Sequence, residues 1–291
     1  MTGPRAAATV TVTVVVPARD AAATIDAQLA ALAAQDFEGP FEVIVADNGS
    51  TDDTAARARA WADRIPVLRV VDASSRPGPA HARNVGVAAA SADRVLCCDA
   101  DDIADRAWVR RLAGALDHAD AVAGGTVELR GSAPSAAAEP RPFGTAGFGF
   151  LPGLIGASCG FRRPVWAAVG GFDESYPTCE DLAFAWTLQL HGCSLVQEPD
   201  GFVHYRRPST PSVVLRTWYR YGRYQPLLMR EFGPAGLRRE PLTRVLAGWS
   251  RIVLRSYRLL GGDDARREWL RDLGRRAGRV VGSVRTRTLY L

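Results

Sequence analysis

The chain has 291 residues, of which 47% are hydrophobic and 23% are charged, and its formal net charge is +5. This length corresponds to one large or two small domains with a substantial buried core. No apolar run approaches the roughly 18 residues that a membrane-spanning helix needs, so we expect no transmembrane segment. The amino terminus alternates Thr and Val, unlike a signal peptide, and the five cysteines form no CxxC pair. These features predict a cytoplasmic protein, with the inner face of the membrane as an alternative, peripheral location.

The charge is divided unevenly along the chain. All 36 basic residues are Arg. Residues 1–205 contain 16 Arg and 25 acidic residues, a net charge of −9, whereas residues 206–291 contain 20 Arg and 6 acidic residues, a net charge of +14. This asymmetry predicts a mildly acidic domain over residues 9–207 and an Arg-rich helical extension over residues 208–291.

The first hundred residues alternate predicted strands and helices. The strands are predicted at 10–16, where Pro17 ends the strand, and at 41–46, 67–71 and 94–98. The helices are predicted at 24–34, 51–61 and 80–90. This alternation indicates an α/β fold with a mixed, mostly parallel sheet flanked by helices. In such sheets ligands bind beyond the carboxyl ends of the strands, where residues 17–20, Asp47 and residues 99–102 are expected to converge.

The second half has a looser pattern. A Gly, Ala, Pro and Ser-rich stretch at 131–153 predicts a loop, followed by a helix at 182–191 and a short strand at 194–197 that leads towards His204. From Pro208 onward the pattern is helical.

One predicted helix in the basic extension is amphipathic. One of its stripes is apolar and contains Leu242, Val245, Leu246, Trp249, Ile252 and Val253. The other is basic and contains Arg244, Arg251, Arg255 and Arg258. We expect the apolar stripe to pack on the protein and the arginines to be solvated. A homodimer contact, an anionic membrane surface and nucleic acid are the alternatives.

Three acidic features stand where a ligand would bind. The Asp99-Ala100-Asp101-Asp102 run follows a buried strand, and its carboxylates suit Mg²⁺ or Mn²⁺, or else form a polar turn that caps a helix. Asp47 is a hydrogen-bond acceptor for a ligand, or the start of an Asx turn. The Glu180-Asp181 pair supplies a general base, or forms a capping box with Thr178.

Other chemistry finds little support. His204 is a candidate third metal ligand, although a lone histidine is more often structural. The chain contains no GxGxxG after its first strand, no GxxxxGK[ST] and no GxSxG. The sequence therefore does not support a dinucleotide-dependent oxidoreductase, a P-loop NTPase or a nucleophile-elbow hydrolase.

Five segments, in this order and spacing, carry a family resemblance. They are VVVPARDAAATI, VIVADNGSTDDT, GPAHARNVGVAAASADRVLCCDADD, GASCGFRRPVWAAVGGFDES and CEDLAFAWTLQLHG. Together they resemble the family 2 glycosyltransferases, which are inverting enzymes with the GT-A fold that use nucleotide-diphospho-sugar donors. The resemblance runs from about residue 10 to His204. Asp20, Ala46 and Asn48 depart from the usual family pattern.

The resemblance implies a role for each matching residue. Asp47 and residues Pro17, Ala18 and Arg19 would line the pocket for the nucleotide base, usually uracil. Asp99-Ala100-Asp101 matches the DxD motif, with Asp99 towards the ribose and Asp101 on a divalent metal, Mn²⁺ or Mg²⁺, that His204 also binds. Arg83 lies near the donor, where it reaches phosphate or holds the loop. Asp181 matches the catalytic base, and Glu180 beside it shapes the acceptor site.

The resemblance thus implies a metal-dependent inverting transferase of hexosyl or N-acetylhexosaminyl groups, with a UDP-sugar as the expected donor. The acceptor is a small molecule, glycan, peptide or lipid-linked group. The alternative is a protein that binds nucleic acid or membrane through its basic helices and keeps a non-catalytic nucleotide-sugar fold. The all-Arg basic complement suggests a bacterial source with a high-GC genome.

Overall fold

The computed structural model describes residues 10–65, 67–129, 139–142, 148–207 and 210–291. The strands among them are β1 (Val12–Ala18), β2 (Phe41–Asp47), β3 (Leu68–Asp72), β4 (Arg94–Cys98), β5 (Ile103–Ala104), β6 (Ala121–Glu128), β7 (Arg141–Pro142), β8 (Ser158–Arg162) and β9 (Leu195–Tyr205). The helices are α1 (Ile25–Ala33), α2 (Thr54–Arg59), α3 (Pro79–Ala88), α4 (Trp108–Ala115), α5 (Arg163–Ala168), α6 (Glu180–Leu190), α7 (Pro211–Phe232), α8 (Leu242–Leu254) and α9 (Asp263–Thr286), with a 3₁₀ turn at Ser256–Leu260.

The strands form one mixed sheet in the order β3-β2-β1-β4-β8-β6-β9-β5, with β7 beside β6. The first four strands of this order are parallel, β8 is antiparallel to both β4 and β6, and β9 runs parallel to β6. The predicted mixed α/β sheet with flanking helices is therefore confirmed. Because β1, β2 and β4 are parallel, their carboxyl ends meet at one edge of the sheet.

The alternating side chains of β1 supply both faces of the sheet. Val12, Val14 and Val16 belong to the core that includes α1 and α4. Val15 points the other way and contacts α3 so closely that a Cβ at Gly86 would lie 2.4 Å from its Cγ1. The period of two in a Val-rich strand thus buries both faces, as expected for a parallel sheet between helix layers.

The prediction that Pro17 ends the first strand is wrong. Strand β1 continues through Pro17 to Ala18 along β2, whereas its pairing with β4 stops at Val15. A proline lacks one ladder donor, and it is tolerated here because one neighbouring strand has already diverged.

The prediction of a short strand at 194–197 is also wrong in length. Strand β9 extends to Tyr205, with a register shift opposite Gly124 and Gly125 of β6. Its last residues pair antiparallel with β5, which places His204 opposite Ile103. A strand with Pro199, Asp200 and Gly201 in its middle reads as ended in the sequence, and only the pairing with β6 shows that it continues.

The described residues form two compact units. The first contains the described residues before Gly144 together with Leu151–Ser175 and Glu180–Arg206. The second contains Tyr176–Cys179, Arg207–Leu291 and the described residues that lead up to Phe150. The predicted domain limits of 9–207 and 208–291 remain a proposal, because residues 9, 208 and 209 lie outside the described residues, as does most of the loop predicted at 131–153.

The second unit is helical, as predicted from residue 208 onward. Helices α7 and α9 pack at close range because Gly274, Gly278 and Gly282 of α9 face the backbone of α7. A Cβ at Gly278 would lie only 2.2 Å from the carbonyl oxygen of Tyr219. Within the described part of the chain, no helix is both long and apolar enough to cross a membrane.

The predicted apolar stripe of helix α8 divides in the structure. Val245 and Ile252 are buried, whereas Leu242, Leu246 and Val253 are exposed. The expectation that the whole stripe packs on the protein is therefore wrong. The helix buries only the side that also carries Gly248, where a Cβ would meet the guanidinium of Arg276 on α9.

Candidate functional site

The residues predicted to line the pocket for the nucleotide base lie at the carboxyl ends of β1 and β2. Ala18 and Asp47 are direct partners in the parallel register of these strands. The Asp47 carboxylate accepts a hydrogen bond from the backbone N–H of Ser50 at 3.1 Å and another from the Ser50 hydroxyl. The structure therefore shows Asp47 in the turn arrangement, and its role as a ligand acceptor stays a prediction.

The chain after β1 is held against the chain after β2. Asp20 has a φ of 48°, and its carboxylate accepts a hydrogen bond from the Thr51 N–H at 2.7 Å. Asn and Asp adopt such left-handed backbone more readily than other side chains, so Asp20 can stand where the family pattern has Asn. The Arg19 side chain is 54% exposed. The structure thus brings Pro17, Ala18 and Arg19 beside the turn that begins at Asp47.

Three carboxylates gather at the carboxyl end of β4. Asp99, Asp101 and Asp102 each offer an oxygen within 4.8 Å of the others. Asp99 and Asp101 are the predicted donor-site residues, and the alternative prediction is that Asp102 or Asp99 caps the next helix. Ala100, between them, is 5% exposed and its side chain packs in the hydrophobic core. Only the backbone of Ala100 is therefore available to a donor.

The three carboxylates and the pKa shifts within the cluster fit a hard divalent cation. Burial, and then the charge of Asp99, raise the pKa of Asp101 to about 6. The same two effects raise the pKa of Asp102, whose buried Oδ2 has no hydrogen-bond partner among the described residues. A cation such as Mg²⁺ or Mn²⁺ prefers oxygen ligands and would relieve this mutual repulsion.

A buried amide on α1 holds the loop that carries these carboxylates. The Gln28 side chain is fully buried, donates to the backbone carbonyl of Asp99 at 3.0 Å and accepts from the N–H of Ala104 at 2.8 Å. On the other side, the backbone N–H of Arg206 donates to Asp102 at 2.8 Å. Gln28 was not among the predicted site residues, although a polar residue on the apolar face of a predicted helix could have marked it.

Arg83 connects the end of β4 with the start of α6. Its guanidinium donates to Asp99 at 2.8 Å and to Glu180 at 2.7 Å, and the residue is only 3% exposed. Gly156 makes room for it, since a Cβ there would lie 2.4 Å from an Arg83 nitrogen. Of the two roles considered for Arg83, the structure shows the structural one, because both terminal nitrogens are engaged by carboxylates. A contact with phosphate stays a prediction.

The Glu180-Asp181 pair opens helix α6 directly beside this arginine. Burial, and then the charge of Asp181, raise the pKa of Glu180, while Arg83 opposes that shift. The Asp181 carboxylate accepts from the N–H of Gly156 at 3.1 Å and from the N–H of Leu182 at 2.8 Å, and burial raises its pKa. Asp181 therefore also binds Gly156 of another segment, whereas the capping-box interpretation had it bonded back to Thr178.

The segment before α6 is fixed by a neighbour of Arg83. The Asn84 amide donates to the carbonyl of Phe172 at 2.8 Å and to Glu174 at 3.1 Å, and its oxygen accepts from the Phe172 N–H at 2.9 Å. His81, one turn earlier on α3, pairs with the same Glu174 at 3.0 Å. Helix α3 therefore positions the segment around Glu174 that precedes α6.

His204 lies near the carboxylates but outside their cluster. Among the described residues, the group whose ligand atoms converge contains the three aspartates without His204. The His204 side chain is buried, its Nδ1 has no hydrogen-bond partner in the described chain, and burial lowers its pKa. A neutral imidazole suits a metal, but its role as a ligand stays a prediction.

The next residue along β9, Tyr205, was missed because nothing in the sequence marks it. Burial and then the charges of Asp99, Asp102 and Asp101 raise its pKa, so its phenol remains protonated near the three carboxylates.

Comparison with known proteins identifies the family. The sequence profile of Glycosyl transferase family 2 matches residues 13–164, more than half of the chain. The chain is 40% identical over 97 residues to the succinoglycan biosynthesis protein ExoU of Rhizobium meliloti (strain 1021), covering 33% of this chain and 28% of that protein. It is 30% identical over 242 residues to the pre-mycofactocin glycosyltransferase of Mycobacterium tuberculosis (strain CDC 1551 / Oshkosh), covering 75% of this chain and 48% of that protein. The chain thus spans half or less of the length of these relatives.

Solved structures share the fold at low sequence identity. The mannosyltransferase PcManGT from Pyrobaculum calidifontis, in complex with GDP-Man and Mn²⁺, superimposes with a TM-score of 0.65 at 21% identity over 93% of this chain and 86% of that chain. S. aureus TarS 1–349, in complex with UDP-GlcNAc, gives a TM-score of 0.55 at 18% identity over 97% of this chain and 93% of that chain. The chain therefore belongs to glycosyl transferase family 2 and has the GT-A fold.

Proposed function

We propose that the chain is a metal-dependent inverting glycosyltransferase that moves a sugar from a nucleotide-diphosphate donor, a UDP-sugar, to an acceptor nucleophile. Asp181 is the catalytic base. The observation that carries the proposal is the double contact of buried Arg83 with Asp99 and Glu180. A single guanidinium ties the carboxylates at the end of β4 to the acidic pair at the start of α6. The donor end and the base end of the reaction thus share one rigid support.

The reaction is a single displacement. The acceptor nucleophile attacks the anomeric carbon from the face opposite the diphosphate. A bond forms between the nucleophile and this carbon while the bond from the carbon to the diphosphate oxygen breaks, and the configuration is inverted. Ionised Asp181 takes the proton of the nucleophile during the attack. The N–H groups of Gly156 and Leu182 fix the orientation of this carboxylate, and burial strengthens it as a base by raising its pKa.

The leaving diphosphate needs compensation for its negative charge. Asp101, with Asp99 and Asp102 beside it and His204 as a further ligand, would hold a Mg²⁺ or Mn²⁺ ion, which would supply positive charge to the diphosphate. Gln28 and Arg206 hold the aspartate loop in one conformation. Positioning and electrostatic stabilisation by a prearranged site then provide most of the rate acceleration.

The base pocket of the proposed donor site lies at the ends of β1 and β2. Pro17, Ala18 and Arg19 line it, and the free carboxylate oxygen of Asp47 contacts the base. Two observations support a nucleotide-sugar donor, namely the family match and the placement of these residues at the same sheet edge as Asp99. The structural relatives were solved with GDP-Man and with UDP-GlcNAc.

The substitution Asp181→Asn tests the assignment of the base. The amide keeps the size of the carboxylate but cannot accept the proton, so turnover with a panel of nucleotide-sugars should fall about 10²–10⁴-fold. Nucleotide affinity, measured by titration calorimetry, should stay unchanged because the base lies at the acceptor end. Asp63→Asn, at an exposed aspartate of the same chain, is the matched control. Near-native turnover in Asp181→Asn would remove the base from the proposal.

A further inference from the structure

The basic second unit carries an apolar surface that its own fold does not use. Of the thirteen large hydrophobic side chains that are exposed among the described residues, seven lie between Leu242 and Leu260. Leu242, Leu246 and Val253 of α8 are 66–70% exposed, and Leu260 beyond them is 92% exposed. Such a concentration marks an interaction site, since isolated surface hydrophobics are ordinary but contiguous ones are not.

Three of the exposed residues share one side of α8. Leu242, Leu246 and Val253 are spaced by four and seven residues and therefore lie in one row along the helix. The neighbouring row contains Val245, Gly248 and Ile252, is buried, and seats the helix on α9, where the Trp269 indole donates to the Ile252 carbonyl at 2.9 Å. Leu254 at the end of α8, and Tyr257, Leu259 and Leu260 in the 3₁₀ turn, are exposed as well. We call the seven exposed residues the α8 apolar face.

Arginines line another side of α8. Residues 237–261 contain six Arg and one acidic residue, Glu240. Arg258 pairs with Glu268 of α9, and the exposed Asp263 and Asp264 follow the segment. The Glu240 carboxylate is occupied by Arg279 of α9 at 2.7 Å, so it does not offset the surface arginines. Arg244, Arg251 and Arg255 of this segment are exposed. By the helical period these arginines lie on the side of α8 opposite the row of Leu242, Leu246 and Val253, so the helix has one apolar and one basic exposed side.

We propose that the α8 apolar face binds the surface of an anionic lipid bilayer. A helix with exposed Leu and Val on one side and arginines on another matches the acyl and phosphate layers of such a surface. A second copy of the chain would bring two such arginine-rich segments together, which like-charge repulsion opposes. A nucleic acid would use the arginines but would leave the leucines in water. The inference is independent of the proposed transfer reaction.

Vesicle co-sedimentation of the full chain tests this surface. The vesicles contain either phosphatidylcholine alone or equal parts of phosphatidylcholine and phosphatidylglycerol, each at low and at high salt. We expect binding to the anionic vesicles, weakened by salt, and little binding to phosphatidylcholine. The double variant Arg244→Gln/Arg255→Gln should weaken the partition coefficient by about fivefold for each arginine removed.

The apolar contribution is tested separately from the charge. Leu246→Gln/Val253→Gln keeps every arginine and changes only exposed positions, and it should lower partitioning to anionic vesicles by at least about tenfold. Val213→Gln/Val284→Gln removes two exposed valines of α7 and α9 and is the matched control, which should bind as the wild type.

Three results would overturn the proposal. One is no binding to anionic vesicles. Another is unchanged binding by Leu246→Gln/Val253→Gln, which would reduce the effect to overall charge. The third is a dimer in sedimentation analysis that this variant dissociates, which would make a second copy the partner.

Discussion

Replacing Arg83 by Met removes the buried positive charge between Asp99 and Glu180 and keeps a long, unbranched side chain of similar size. The guanidinium is 3% exposed and lies between Asp99 and Glu180, so its loss leaves two carboxylates without their shared counter-charge. Glu180 is itself 6% exposed, and water cannot replace the arginine there. The free energy of unfolding should therefore fall even when no donor is bound.

The size of the effect follows from the burial of the pair. Breaking a buried ion pair from one side costs about 3–5 kcal/mol because an uncompensated charge remains. The free energy of unfolding of Arg83→Met should fall by about that amount, which lowers the melting temperature by about 10 °C for a domain of this size. A matched surface substitution is Arg110→Met, whose partner Asp36 lies 3.1 Å away while Arg110 is 50% exposed. That change should cost less than about 1 kcal/mol.

A double-mutant cycle in urea denaturation separates the ion pair from other effects. In Glu180→Gln one of the two carboxylates is already neutral, so adding Arg83→Met should cost about 1–2 kcal/mol less than it does in the wild type. The reasoning would be refuted if Arg83→Met cost no more than Arg110→Met. It would also be refuted if the two changes at positions 83 and 180 were simply additive.

Two further predictions concern stability in each unit. Glu42 is 1% exposed, and although burial raises its pKa, hydrogen bonds from Ser91, Thr13 and Arg69 lower the pKa overall. Its ionised form thus contributes stability that is present above the unfolded pKa and lost as pH falls through the lowered folded pKa. Glu42→Gln should lose about 1–3 kcal/mol at neutral pH, and urea midpoints should converge with those of the wild type in acid; a constant gap across pH would contradict this. In thermal unfolding, Gly278→Ala should lower the free energy of unfolding by about 1–3 kcal/mol because the added Cβ overlaps the α7 backbone. The control Gly114→Ala lies at a helix position with open space and should raise the free energy of unfolding by up to about 1 kcal/mol. Equal effects of the two substitutions would refute the close packing of α7 and α9.

Local patterns predicted much of the first unit. The strand at 94–98 and the helices near α1 and α3 follow from hydrophobic spacing and turn residues, and the sheet places their ends as a parallel arrangement requires. The limits of β9 could not be predicted in this way. Its pairing with β6 and β5 joins residues far apart in sequence, and its proline and glycine carry the local signal of a turn.

The candidate site shows the same division. The acidic run after β4 and the acidic pair at α6 are visible as motifs, because each is contiguous in the sequence. The partners of Arg83 are not, since Glu180 lies 97 residues away and nothing local marks the contact. The conformation of a short loop places Asp102 beside Asp99 and Asp101. Gln28 binds the backbone of this loop only because α1 packs against it.

The exposure of residues on α8 was beyond the reach of periodicity. A hydrophobic stripe shows which side chains share a face of a helix, but not how much of that face a neighbouring helix covers. Only one side of α8 is covered, so Val245 and Ile252 are buried whereas Leu246 and Val253 are exposed. The helix is amphipathic as its sequence predicts, but only the structure shows that part of its apolar stripe is left exposed.

Titration calorimetry of UDP, GDP and TDP, each with Mn²⁺ and with EDTA, tests the metal-dependent donor site. We expect the wild type to bind one nucleotide, UDP, in the presence of Mn²⁺ and to release it in EDTA. Asp101→Ala should abolish this binding because it removes a carboxylate from the cluster at the end of β4. If no nucleotide binds, or if binding is indifferent to both EDTA and Asp101→Ala, the metal-dependent donor site is contradicted.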